Sequence, residues 1–380
     1  MVPTAPSIIA SEAICQIGLD AGLDAVGVAS AEPFEDTRSE IERRRSEGLH
    51  AGMAFTFRNP ARSTDPSVTL PGARSLVVGA LGYRRATPPG PHPDQPVGRV
   101  ARYSWTDHYA TLRAALASVA DRLVDDGWQA VVLADDNALV DRAAAHRAGL
   151  GWFGKSANLL LPGQGSWFVL GSVLTDAPLQ PASEPVSDGC GSCNRCIEGC
   201  PTGAIIAPGV VDARRCLAWL VQAPGSFPAE FREALGDRIY GCDDCQEVCP
   251  PNRRVDRLPM PTVGPPVDLE AWVPLLDMLM ASDDELIERH GRWYIPKRNP
   301  AYLRRNALIG LANTADPIDQ RVIDAVTLAL AHEDPIVRSH AVWAARRLGH
   351  PELVERLLGD TDPMVRHEME LPAPAARRDP

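Results

Sequence analysis

A chain of 380 residues exceeds what one compact core usually supports, so two or three domains are expected. Hydrophobic residues make up 45% of it, enough for ordinary buried cores, and its 35 prolines gather in runs that read as connections. The net charge of −11 argues against attraction of the whole molecule to nucleic acid or to an acidic membrane, so a polyanionic partner needs a local basic patch.

The first residues, Met1-Val-Pro-Thr-Ala-Pro-Ser7, lack the charged region and apolar stretch of a signal peptide. No apolar run approaches the roughly 18 residues of a membrane span, so no membrane association is expected. The expected location is the cytoplasm, a reducing compartment in which cysteines suit metal better than disulfides.

Residues 1–185 alternate helix-like and strand-like patterns. A helix from Ser11 to Gly18 carries Cys15, expected as a packed core thiol. Asp24–Ala29 and Ser75–Leu81 read as buried strands, and Thr87–Val97 as a proline-rich surface loop. From Asp107 to Asp126, the residues Tyr109, Leu112, Leu116, Val119 and Leu123 recur at three- and four-residue steps, which marks an amphipathic helix. A strand Trp128–Ala134 ends on Asp135-Asp136-Asn137, a short helix runs from Val140 to Ala148, and a long strand covers Ser166–Thr175. This pattern is α/β or α+β.

Asp135 stands where a strand ends, a common place for functional groups; an aspartate there can equally turn or cap the chain before the helix at Val140. The run Ala148–Lys155 holds Gly149, Gly151 and Gly154, which let backbone lie against a bulky ligand beside the Lys155 charge. Simple loop chemistry explains such a run as well.

The cysteine block covers Gly189 to Asn252. Cys190-x2-Cys193-x2-Cys196-x3-Cys200-Pro201 matches the bacterial ferredoxin pattern, in which three close thiolates hold one 4Fe–4S cubane and the fourth reaches the neighbouring cluster. By that crossover, Cys190, Cys193 and Cys196 pair with Cys249, while Cys200 joins Cys216, Cys242 and Cys245. The second half departs from the pattern, because an insertion, Leu217–Gly241, separates Cys216 from Cys242. Two structural zinc sites are the competing reading, although zinc usually takes paired C-x2-C knuckles.

A proline-rich run, Pro259–Pro266, follows, and from about Asn299 the chain turns helical and weakly repetitive. Asp334-Pro-Ile-Val-Arg338 and Asp362-Pro-Met-Val-Arg366 each combine a helix cap with a first-turn proline, in the manner of HEAT-type repeats.

The stretch DDNALVDRAAAHRAGLGWFGKSANLLLPGQGSWFVLGSVLTD, followed by CGSCNRCIEGCPTGAI, DARRC and RIYGCDDCQEVCP, resembles the epoxyqueuosine reductase family over nearly the whole chain. The resemblance implies an α+β multidomain protein: an N-terminal α/β cobalamin-binding domain (1–185), a ferredoxin-like domain with two 4Fe–4S clusters (186–255), a linker and helical connection (256–298), HEAT-like helical repeats (299–370) and a disordered tail (371–380). It implies an oxidoreductase that reduces epoxyqueuosine to queuosine at the tRNA wobble position, with an external low-potential electron donor. Residue by residue, Asp135 takes the place of the catalytic acid, six before the pair Asp141-Arg142, and Asp136 stands beside it where the family usually has Ser or Thr. Arg62, Asp135, Lys155, Ser166 and Asp243 fall in the cobalamin surround, and Arg142, Lys297, Arg298, Arg304 and Arg305 at the tRNA. Trp293, Tyr294 and Tyr302 interleave that last strip for stacking on bases.

Converting an epoxide to an alkene takes two electrons and a proton for the departing oxygen. Asp135 must then hold a proton near neutral pH, through burial, the negative charge of Asp136 or the corrin face. The alternatives are another corrinoid and iron–sulfur reductase acting on a small molecule, and a non-catalytic electron carrier or scaffold whose repeats bind a protein.

Overall fold

The computed structural model describes residues 10–90, 95–182, 186–259 and 269–375. The first nine residues, residues 91–94 of the expected surface loop, all of the proline-rich run after Pro259 and the end of the expected disordered tail lie outside the described residues. In chain order the strands of the two larger sheets are β1 (Ala25–Ser30), β2 (Ser75–Gly82), β3 (Val97–Val100), β4 (Ala130–Ala134), β5 (Phe168–Thr175), β6 (Arg238–Tyr240) and β7 (Trp272–Pro274). The helices that matter most to the site are α1 (Ser11–Asp20), α2 (His108–Asp125), α3 (Asp141–Arg147), α4 (Ala301–Thr314), α5 (Gln320–Ala329), α6 (Pro335–Arg347) and α7 (Pro363–Glu370).

The chain folds as two units, and each gathers distant parts of the sequence. The first takes the described residues of 1–86, 107–214 and 244–265, and the second those of 87–106, 215–243 and 266–380. Division in chain order and grouping in space therefore differ. Cys190, Cys193, Cys196, Cys200, Cys245 and Cys249 belong to the first unit, and Cys216 and Cys242 to the second.

The first unit is built on a four-stranded sheet in the order β1-β2-β5-β4. Every pairing is antiparallel, although alternating strands and helices often build parallel sheets. Strand β2 is buried from Ser75 to Leu81, because both faces of the sheet are covered. On one face Gly79 pairs with Gly171. A Cβ on Gly79 would stand 2.7 Å from Leu23 Cδ1, and one on Gly171 2.7 Å from Leu116 Cδ1. The absent side chains let α2 lie close to the strands, with Leu112, Leu116, Val119 and Leu123 buried as their spacing predicts. On the other face Ala143, Ala144 and Ala145 of α3 meet Leu76, Val78, Leu133, Leu170 and Leu174. Cys15 on α1 is half-buried rather than a core thiol, and burial first, then Glu12, raises its pKa.

The second unit combines a small sheet, β6-β3-β7, with the C-terminal helices. The two Asp-Pro openings act as read from the sequence. Asp334 Oδ1 accepts from Ile336 N at 2.8 Å to cap α6, and Asp362 Oδ1 from Met364 N at 2.8 Å to cap α7. Leu308, Leu311, Val326, Val337, Trp343 and Val365 pack one continuous apolar core. Inside it lies a polar exception: Arg232 and Glu368, 1% and 4% exposed, form a two-pronged pair at 2.6 and 2.9 Å. Among the described residues no helix is long and apolar enough to cross a membrane.

Removing one partner of this pair strands a buried charge. Glu368→Ala should cost about 3–5 kcal/mol of stability, read from the urea midpoint, and the double change Arg232→Met with Glu368→Leu should recover most of it.

Candidate active site

Strand β4 stops at Ala134, and the next residue, Asp135, adopts φ +54°, the left-handed conformation that aspartate tolerates better than most residues. Its neighbours hold the loop. Arg113 Nη2 donates to Ala134 O at 3.1 Å, Asp136 Oδ1 accepts from Ala138 N at 2.8 Å, and Asn137 Oδ1 accepts from Thr56 N at 3.2 Å. Asp136 is thus the turn-forming aspartate, and its side chain is occupied. Asp135 does not cap α3, whose N-cap is Val140, so the capping alternative falls away.

The Asp135 side chain reaches solvent, yet the protein around it still displaces enough water to raise its carboxyl pKa. Burial is the first cause; Arg113 opposes it and Asp136 adds to it. Asp141 is pushed up much further, by burial first and then by the Asp135 charge. Tyr109 is raised by burial and by both carboxylates, Asp135 and Asp141. Two acids and a phenol therefore share one pocket of field, an arrangement that favours a retained proton.

The first four predicted cluster thiols lie together. Burial pushes the Cys249 thiol up to about 11, the Asn252 backbone N–H works against that, and Cys190, Cys196 and Cys193 add to it. Cys196 is raised by burial, by Cys190 and by Cys193, while two backbone N–H groups hold it down. Thiols that oppose one another's ionisation need a cation to hold them as thiolates, which an iron–sulfur core provides. Beside Gly189 a buried Trp152 indole N–H finds no acceptor among the described residues, a donor suited to a sulfur-rich group. Among the described residues no three His, Cys, Asp or Glu side chains close on a single metal ion; a cubane instead gives each thiolate its own iron. Elsewhere Ala204 N donates to Cys200 Sγ at 3.2 Å.

The other predicted residues divide. Arg62 is exposed on a segment joined to the Asp135 loop through Thr56 and Asn137. Lys155 donates to Asn194 Oδ1 at 2.9 Å, within the cysteine segment. Ser166 is buried in a closed set: its Oγ lies 2.9 Å from both Gln246 Oε1 and Asn252 Nδ2, and its N donates to Asn252 Oδ1 at 2.7 Å. A Cβ on Gly165 would sit 2.1 Å from Asn252 Oδ1, so that close approach requires glycine. Asp243 belongs to the second unit, where its Oδ2 accepts from Arg102 N at 2.7 Å. Arg142 donates to Ala157 O at 3.2 Å and remains exposed.

Two expectations are corrected. A Cβ on Gly151 would meet Leu160 O at 2.1 Å and one on Gly154 would meet Leu160 Cδ1 at 2.4 Å, so these glycines serve the chain's own Trp152–Leu160 pairing, not a ligand. Arg304 and Arg305 are 5% and 0% exposed and are not surface cations for RNA. Arg304 pairs with Asp283 Oδ1 at 2.5 Å, and Arg305 is spent on backbone carbonyls. Trp293 is likewise buried, stacked on Tyr240, which leaves Lys297, Arg298 and the 55% exposed Tyr294 at the surface. Lys297 and Arg298 hold φ of +52° and +53°, a pair of non-glycine residues under strain of about 1–3 kcal/mol each.

Residues 189–252 match the model of a 4Fe-4S double cluster binding domain, and 295–371 that of HEAT repeats. The chain is 34% identical to the epoxyqueuosine reductase of Bacillus cereus over 360 residues, 92% of either chain. It is 34% identical to that of Bacillus subtilis over 354 residues, 91% of this chain and 89% of the other. The chain belongs to the epoxyqueuosine reductase family. It therefore joins a family of oxidoreductases, and the expected α+β architecture with cluster domain and HEAT repeats is borne out. A solved epoxyqueuosine reductase with an epoxyqueuosine-modified tRNA-Tyr stem loop matches with a TM-score of 0.85 and 31% identity, covering 94% of this chain and 96% of that one. Another, from Bacillus subtilis with its catalytic aspartate loop swung out of the active site, matches with a TM-score of 0.84 at the same identity and coverage.

For an epoxyqueuosine reductase family member, the supporting residues that sequence reasoning missed are Gln246, Asn252, Arg113 and Tyr109. Gln246 and Asn252 sit one and three residues beyond Cys245 and Cys249, inside the motif, and their polarity next to predicted ligands was the available signal. Arg113 carried none, since only the fold brings α2 to the end of β4.

Proposed function

We propose that this chain reduces epoxyqueuosine to queuosine at the wobble position of tRNA in the cytoplasm, with Asp135 as proton donor, cobalamin as the reducing centre, and electrons entering from an external donor through two 4Fe–4S clusters. The observation that carries this reading is a raised-pKa carboxyl, Asp135, displayed at a strand end in the same unit as the thiols of the first cluster. Family membership and the tRNA stem loop bound by a relative support the substrate. An electron carrier without chemistry has no use for a solvent-reaching carboxyl whose pKa is raised.

Cobalamin, when bound, supplies a strongly reduced metal for the attack on carbon. Arg62, Lys155, Ser166 and Asp243 would hold it together with Asp135; the exposed Arg62 guanidinium and Asp135 carboxyl offer hydrogen-bond donors and an acceptor, which fits an amide-fringed cofactor. The residues for the clusters are Cys190, Cys193, Cys196 and Cys249 for the first, and Cys200, Cys216, Cys242 and Cys245 for the second, the latter resting on spacing in the sequence. The Ser166, Gln246 and Asn252 set ties the Gly165–Ser166 turn to the backbone on either side of Cys249, so ligand and cofactor residues move as one.

Burial disfavours the charged form of Asp135 and Asp136 repels it, while Arg113 opposes both, so the carboxyl holds its proton to higher pH than a free aspartate does. The proton leaves from its carboxyl to the departing oxygen, and the negative charge of Asp136 favours the return of a proton to it. For the nucleic acid, Arg142, Lys297 and Arg298 remain as phosphate contacts and Tyr294 as a stacking surface.

Mass spectrometry of the wobble nucleoside, after incubation of substrate tRNA with reductant, cobalamin and protein, tests the reaction directly. Asp135→Asn should keep its iron and its cobalamin yet lose turnover by at least ~10²-fold; unchanged turnover would remove the acid role. Asp136→Asn takes away a negative neighbour, so the Asp135 pKa falls and its protonated form is lost at lower pH. The basic limb of the pH–rate profile should move down while the rate at acid pH stays. Lys297→Glu should weaken tRNA binding and reduce the salt slope by about one or more, which a titration across salt concentrations reads.

A further inference from the structure

The segment Leu217–Gly241, which interrupts the ferredoxin spacing between Cys216 and Cys242, is bound to α4 by polar groups that have no access to water. Arg305, fully buried, donates to Leu220 O at 3.0 Å, Val221 O at 3.1 Å, Ala223 O at 2.8 Å and Gly225 O at 2.6 Å. Its neighbour Asn306, 1% exposed, donates from one amide nitrogen to Val221 O at 2.8 Å and to Ile239 O at 3.0 Å. Arg305 Nε donates to Asn306 Oδ1 at 3.0 Å, which fixes the way that amide faces. Val221 ends the short helix that starts just after Cys216, and Ile239 lies in β6, three residues before Cys242. One side chain on one helix therefore joins the two stretches of backbone that lead from Cys216 and into Cys242.

We propose that Asn306, with Arg305 behind it, is a positioning residue for the second cluster: α4 of the helical repeats sets where the Cys216 and Cys242 backbones stand. The proposal rests on the assignment of those two cysteines as ligands. Four thiolates around a cubane need fixed separations, and hydrogen bonds outside the ligand shell tune its potential. In a short ferredoxin loop the covalent spacing supplies that rigidity. Here a long insertion cannot, and the buried bonds from α4 replace it. Further along the insertion, His340 Nε2 accepts from Phe227 N at 3.1 Å and Arg232 Nε donates to Phe227 O at 3.0 Å, so α6 and the Arg232–Glu368 pair hold its middle too. The helical repeats thereby have a role in the redox centre apart from any RNA they bind.

The test uses the full-length protein prepared without oxygen and carrying its clusters, with redox titrations followed by electron paramagnetic resonance. In Asn306→Ala one cluster's midpoint should shift and its reduced spectrum broaden while the other cluster stays unchanged. Arg304→Met is the control, since Arg304 lies on the same helix but bonds to Asp283 and Ala281 O, away from the insertion. It should leave both midpoints alone. Where Asn306→Ala does not accumulate as folded protein, Arg305→Lys keeps a buried cation, serves fewer carbonyls and takes the same readout. Both midpoints unmoved at full iron content, or the same shift from Arg304→Met, would overturn the proposal. The ligand assignment is checked apart from it: Cys242→Ser should lose one cluster's iron, and a full iron complement there sinks the assignment instead.

Discussion

A guanidinium as deeply buried as that of Arg305 must find acceptors for its donors, and burial lowers its pKa to about 9 even so. It finds them on four consecutive-turn carbonyls of an irregular segment, which have the converse need. Neither half is stable in an apolar core without the other. This mutual requirement is what allows a 25-residue departure from the compact ferredoxin spacing to be held in one conformation. The neighbouring His340, held neutral by burial and by Arg232 and Arg305, and the Arg232–Glu368 pair extend the same buried polar layer through α6 and α7. The second unit is thus more than a stack of apolar helices.

The first unit solves a different electrostatic problem. The proposed proton donor, Asp135, has to be reachable and still reluctant to ionise, and it stands at a strand end in a left-handed conformation beside two other carboxyls. The doubled aspartate divides the labour. Asp136 lends one oxygen to the turn through Ala138 N and lends its charge to its neighbour, while the Asp135 carboxyl is left to face outward. The loop is fastened from outside by Arg113 and Asn137, so its geometry depends on α2 and on the segment around Thr56.

Charge counted along the sequence misled where charge in space did not. The strip from Lys297 to Arg305 reads as one cationic face, but at α4 the chain turns helical and rotates Arg304 and Arg305 inward, where they meet Asp283 and a set of carbonyls. Only the strained pair before the helix, Lys297 and Arg298, stays at the surface. The glycines of the Ala148–Lys155 run misled for a related reason. A glycine announces a close approach of backbone, and the sequence does not say whether the approaching group is a cofactor or, as here, Leu160 of the same chain.

What the sequence alone determined are the features governed by covalent spacing and local chemistry. The three- and four-residue rhythm of Leu112 to Leu123, the Asp-Pro caps at Asp334 and Asp362, and the grouping of Cys190, Cys193 and Cys196 with Cys249 all follow from residues close in the chain or from a repeated motif. Tertiary structure alone decided which charges are buried, which of two adjacent aspartates is free, and what holds the insertion between Cys216 and Cys242. Those outcomes depend on desolvation and on partners far away in sequence, such as Arg113 for Ala134 and Asn306 for both Val221 and Ile239. Burial is a property of the packed chain, and no single segment carries it.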